Sequence, residues 1–214
     1  MFFLPISILI LILFIFFFPV LFVLGYFNII TIGFEKLGFS SEATFLIFFL
    51  ILIGSLINVP LTRMKLTYIE EKSFFGLLKT TKLKPSGLAI NLGGAVIPIL
   101  LSIYFLIFIP LDLILIPLIL MIISLKFLAR VVPGRGIVIP ALLPPLLALL
   151  FAFIFVPNFK APSAFVIGVL GTLIGGDILN LSKAMKSNSG LISIGGAGVF
   201  DGIFLVGIVS ALFT

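Results

Sequence analysis

Apolar residues in this chain run in long blocks, and short polar stretches separate the blocks. A run of roughly 18 apolar residues covers a hydrocarbon core of about 30 Å, and several blocks reach that length. The pattern predicts seven membrane-crossing helices, over 3–26, 43–60, 87–109, 111–128, 137–156, 163–181 and 190–213. Pro19 predicts a kink in the first, and Pro60 predicts the end of the second. The longest polar stretch, 61–86, alternates with a period near two around Thr62–Lys72. A small cytoplasmic hairpin and an interfacial helix both fit that alternation.

Composition agrees with a single all-α, polytopic domain over 1–214. The chain is 62% hydrophobic and 9% charged, with a mean hydropathy of +1.49. The first block has no basic region before it and exceeds the apolar core of a signal peptide, so it reads as a retained span. Of 13 Lys and Arg residues, 11 fall in the loops after the even-numbered spans, counting Lys126 at the end of the fourth span, and 2 in loops after the odd-numbered ones. The positive-inside rule then sets the N-terminus in the cytoplasm and the C-terminus outside, in a multi-pass cell-membrane protein. The net charge of +6 is explained by topology and anionic headgroups, not by nucleic acid. No Cys or His is present, which excludes disulfides, Cys/His zinc sites and triads built on either residue. No metal or organic cofactor is implied.

The remaining chemistry rests on carboxylates. Asp177 lies 12 residues before Ser189 and Asp201 lies 12 after it, so an antiparallel helix pair turning at 182–190 sets both at one depth. An ionisable group at membrane depth is costly and points to function. Two at one level can share a proton, the basis of aspartyl-pair catalysis. Asn180 is one turn past Asp177 and within reach of its carboxylate. Gly196, Gly198 and Gly202 would let the partner helix or an extended peptide approach Asp201 closely, and Asn58 and Asn91 sit near the cytoplasmic ends of their spans. Plainer readings stand beside these. Lys183 is six residues beyond Asp177, which fits a wet carboxylate at headgroup level, and Asp201 could bond backbone groups freed by its glycines. Asp112, Glu70 and Glu71 read as solvated, Tyr104 as an interface anchor, and Gly168, Gly171 and Gly175 as a packing stripe. The string Ile90-Asn-Leu-Gly-Gly-Ala95 echoes Ile192-Ser-Ile-Gly-Gly-Ala197, within what chance gives in such sequence.

Several strings carry a resemblance. Asn91-Leu-Gly-Gly-Ala-Val-Ile-Pro98, Ile139-Pro-Ala-Leu-Leu-Pro-Pro145, Gly176-Asp-Ile-Leu-Asn180 and Ser193–Phe204 look like an uncharacterised family of archaeal and bacterial membrane proteins. More distantly, the chain resembles the GxGD intramembrane aspartyl proteases, the presenilin and signal peptide peptidase group. That likeness implies Asp177 and Asp201 as the catalytic pair, with Gly196-Ala-Gly198 in place of Gly-x-Gly. Here Val199 and Phe200 separate Gly198 from Asp201, and Gly176 stands where the proteases have Tyr. Three functions follow as expectations. The first is a hydrolase that cleaves transmembrane peptides, binding them near Gly195, Gly196, Gly198, Gly202, Asn91 and Asn180. The second is a transporter or channel with the aspartates lining a path for a small cation or proton. The third is a structural membrane protein.

Overall fold

The structure, a computed structural model, describes residues 28, 31, 32, 34, 35, 37–73, 78–132, 136–187 and 190–196, with 65, 67–73 and 78–85 described by backbone alone. The first predicted span, Asp201, Gly198, Gly202 and most of the seventh span lie outside the described residues.

The described chain is mostly helical. Helix α1 is Ser41–Ser55, opened by the Ser40 side chain accepting from the Ala43 amide. Helix α2 is Leu92–Leu106, which starts with a π turn at Leu92–Val96. Helix α3 is Leu111–Leu128, matching the fourth predicted span in both bounds. Helix α4 is Leu143–Phe155, and α5 is the long run Pro157–Lys186. By length and composition α3 and α5 can each cross a membrane, whereas α1, α2 and α4 are shorter apolar helices.

All-α is the wrong description at one end of these helices. Strands β2 (Lys65–Ser73) and β3 (Leu78–Asn91) form a long antiparallel hairpin, which settles the open choice over 61–86, and β1 (Asn58–Pro60) pairs with the end of β3. Strands β4 (Arg130–Val132) and β5 (Gly136–Val138) pair with each other, and β6 (Leu191–Ile194) runs parallel to β3. Ile90 pairs with Val59 on one side and Ile194 on the other, so β1 and β6 flank β3. The predicted spans beginning at 87, 137 and 190 therefore start as extended chain. Local chemistry explains this. Pro60 disfavours helix at Val59, and β6 is bracketed by Gly190 at φ +79° and Gly195 at φ +67°, conformations that stop a strand cleanly. Apolar content alone does not separate a short buried strand from a helix.

Helix α5 occupies the centre and packs on α2, α3 and α4. Its middle, Ser163–Val169, is buried throughout. The packing stripe is confirmed in two places. A Cβ on Gly171 would lie 2.3 Å from Met121 Cγ, and one on Gly175 would lie 2.3 Å from the Ile122 carbonyl oxygen. Small residues thus let α5 and α3 touch backbone to side chain and backbone to backbone. Large apolar side chains face outwards, among them Phe45, Leu115, Ile119, Leu150 and Ile154.

Candidate functional site

Helix α5 changes its winding where the polar residues sit. Regular α geometry ends at Gly171, a π turn spans Thr172–Asp177, a 3-10 turn spans Ile178–Asn180, and α geometry resumes at Leu181. Such changes of winding release carbonyls that lack their usual partners. Asn180 collects them. Its side-chain amide donates to the carbonyls of Gly175 and Gly176, both at 3.0 Å, and lies 3.4 Å from the Lys126 carbonyl of α3. The expectation that Asn180 donates to Asp177 is thus replaced by a bracing role, because its amide protons go to these carbonyls. The residue is buried, and both protons of its Nδ2 have carbonyl acceptors.

Asp177 points instead toward β6. Its Oδ2 accepts the Gly195 amide at 2.7 Å. Gly195 in turn meets the start of α2, since a Cβ there would lie 2.5 Å from the Gly94 carbonyl oxygen. Gly195 therefore joins three elements in one place, and only a residue lacking Cβ fits. The fold thus brings two of the candidate residues, Asp177 and Gly195, together.

Asn91 serves the same junction by another route. Its Oδ1 accepts the Gly94 amide at 2.7 Å, capping α2, while its Nδ2 donates to the Ser55 carbonyl at 2.7 Å and to Asn58 Oδ1 at 3.1 Å. Asn58 Oδ1 also accepts from the Ser193 hydroxyl. Asn91 and Ser193 are equivalent positions in the two echoing strings. The strings meet where β3 and β6 run side by side, with Ile90 paired to Ile194, and Asn58 bonds the equivalent Asn91 and Ser193. Ser193 was missed by sequence reasoning, although the echo was the signal that could have found it.

A cavity of about 440 Å³ opens beside the carboxylate. Its walls are Gly136–Ile139 from β5 and the residue after it, Leu191–Ser193 from β6, and Thr172, Asp177 and Gly196. Asn91 and Asn180 are absent from this lining, and Gly196 belongs to it. The β5 wall was not anticipated from sequence, because 136–139 reads as the start of a span. Among the described residues, no cluster of three or more acidic residues could hold a metal ion. Asp112 lies exposed in the first turn of α3, and Tyr104 is exposed in a cluster with Phe39, Phe105 and Phe108.

These features sit within one family. The chain belongs to the family described as Protein of unknown function (DUF1614), whose model matches residues 52–213. That span takes in the hairpin, the α5 break and β6. No curated protein and no solved structure matches the chain.

Proposed function

We propose that this is a multi-pass membrane protein that hydrolyses peptide bonds of membrane segments, with Asp177 and Asp201 as an aspartyl pair. The observation that carries the reading is the Asp177 carboxylate on the wall of a cavity bounded by two strands, β5 and β6. A peptide laid between them in extended form would find main-chain donors and acceptors on both sides. A helix must unwind before its peptide bonds can be attacked, and strands are the elements that hold an unwound segment. Asp201 follows Gly196 of the cavity wall by five residues, a tether of about 18 Å at full extension.

In the proposed reaction one carboxylate takes a proton from water as the water oxygen attacks the peptide carbonyl carbon. The other protonates the departing nitrogen, the C–N bond breaks, and an acid and an amine leave. Support for the membrane setting comes from the outer surface. Large apolar residues face outward on α1, α3 and α4, around an interior that is also apolar and includes several Ala, Ser and Thr. Lipid tolerates that arrangement, and water does not. The seven-span topology with a cytoplasmic hairpin belongs to the same proposal.

A cation path through the α5 break is the competing reading. The Gly175 and Gly176 carbonyls that would serve as ligands are, however, held by Asn180. The test is a reconstituted protein with a transmembrane reporter peptide, read by mass spectrometry. Cleavage is expected, and Asp177→Asn and Asp201→Asn should each abolish it. Cleavage that survives both variants, or cation flux dependent on Asp177 with no cleavage, overturns the proposal.

A further inference from the structure

The β2–β3 hairpin has two chemically different faces. Residues directly opposed across an antiparallel pair share a face, and the face alternates along each strand. The register Leu66↔Pro85 and Tyr68↔Leu83 places four apolar residues on one face of the half nearer the helices. The register Lys65↔Ser86, Thr67↔Lys84 and Ile69↔Lys82 places three lysines on the opposite face of the same half. Further out, the first face turns polar at Glu70↔Thr81 and Lys72↔Lys79.

Two more observations concern the base of this ribbon. Leu61, Met64 and Leu66 are 53%, 45% and 70% exposed, so an apolar edge continues from α1 into the hairpin. The chain leaves α1 at Ser55 and pairs from Asn58, and β3 passes into α2 with no intervening residue. Both strands are thereby tethered to apolar helices, which keeps the ribbon at whichever surface those helices reach.

From this juxtaposition we infer that the inner half of the hairpin is a membrane-surface element that lies on anionic lipid. Its Leu66, Tyr68, Leu83 and Pro85 face rests at the headgroup–acyl boundary, and Lys65, Lys82 and Lys84 supply the attraction to negative headgroups. The outer half, with Glu70, Lys72 and Lys79, stays in water. The inference rests on the membrane reading above but not on peptide hydrolysis.

The absence of cysteine makes the test direct, because any introduced thiol is the sole labelling site. Spin labels at Leu66→Cys, Leu83→Cys, Thr67→Cys and Lys84→Cys, in the full chain reconstituted with phosphatidylglycerol and phosphatidylcholine, are read for collision with oxygen and with a water-soluble nickel complex. A fifth label at Ile119→Cys, on the exposed side of α3, reports on membrane embedding alone. The expected result is oxygen-dominated collision at 66 and 83, nickel-dominated collision at 67 and 84, and oxygen-dominated collision at 119. Replacing Lys65, Lys82 and Lys84 together with Gln should weaken surface attachment about a hundredfold, so that 66 and 83 become wet. Wet labels at 66 and 83 in the unaltered protein, with 119 in lipid, overturn the inference and leave the membrane reading standing. Labels at 66 and 83 shielded from both reagents mean that protein covers the face, which also overturns it. A wet label at 119 removes the membrane reading and this inference together.

Discussion

Helices α3 and α5 are both long and apolar enough to cross a membrane, yet they do different work. In α3 the most hydropathic 18-residue window is 22% buried, and in α5 it is 67% buried. Helix α3 keeps regular winding over Leu111–Leu128, with Leu115, Ile116, Ile119 and Ile123 turned outward. Helix α5 is surrounded, carries Gly171, Gly175 and Gly176 at its contacts, and changes winding three times around Asp177. Irregular backbone within a membrane is tolerated where protein encloses it. Burial, small residues and broken winding therefore mark the helix that carries Asp177, whereas hydropathy marks both alike.

The largest expected effect tests that enclosure. Gly175→Leu puts a side chain where a Cβ alone would be 2.3 Å from the Ile122 carbonyl oxygen, so the α3 backbone must move. A loss of about 3 kcal/mol or more is expected, read as the shift in an SDS-induced unfolding titration of the protein in mixed micelles. A loss below about 1 kcal/mol would mean that α3 and α5 are not in backbone contact.

Next comes the brace across the winding change. Asn180→Leu removes the amide that holds the Gly175 and Gly176 carbonyls and reaches Lys126. Unsatisfied buried carbonyls cost about 1–2 kcal/mol, to be read in the same titration. Amide exchange at the residues around 178–186 should quicken more than exchange in α3. Equal effects on both helices would dissolve the distinction between them.

How much of this was readable beforehand differs between the same two helices. The bounds of α3 were legible because Pro110 precedes the apolar run and the polar turn from Arg130 follows it. In α5, Asp177 and the glycine stripe were legible as residues, but their partners were not. Asn180 was expected at the carboxylate, one turn back on the same helix. The π and 3-10 turns rotate that spacing, and the carbonyls they expose claim the amide first. The strands at 87–91, 136–138 and 191–194 were hidden inside apolar runs whose composition suits either conformation. The echo between Ile90–Ala95 and Ile192–Ala197 was visible, and what it lacked was a reason. That reason is Asn58, whose side-chain oxygen accepts from both Asn91 and Ser193.

A smaller effect separates the site from the fold. Asp177→Asn keeps an oxygen able to accept the Gly195 amide, so stability should change by less than about 1 kcal/mol. Asp177→Ala removes that acceptor and should cost about 1–2 kcal/mol. If the two substitutions destabilise equally, the negative charge rather than the hydrogen bond holds α5 to β6, and the carboxylate is structural in the first place.

The smallest effect belongs to α3. Ile119 is 52% exposed, and in a membrane that exposure is to lipid. Unfolding in detergent separates helices while each stays in an apolar surrounding, so the side chain meets the same neighbours before and after. Ile119→Ala should then shift the titration by no more than about 0.5 kcal/mol. In water the same substitution would remove an exposed apolar side chain and raise solubility. A loss of about 2 kcal/mol or more would instead show Ile119 packed against protein. That outcome would give α3 a second buried face and make it a central helix like α5, with the exposed side of the fold lying elsewhere.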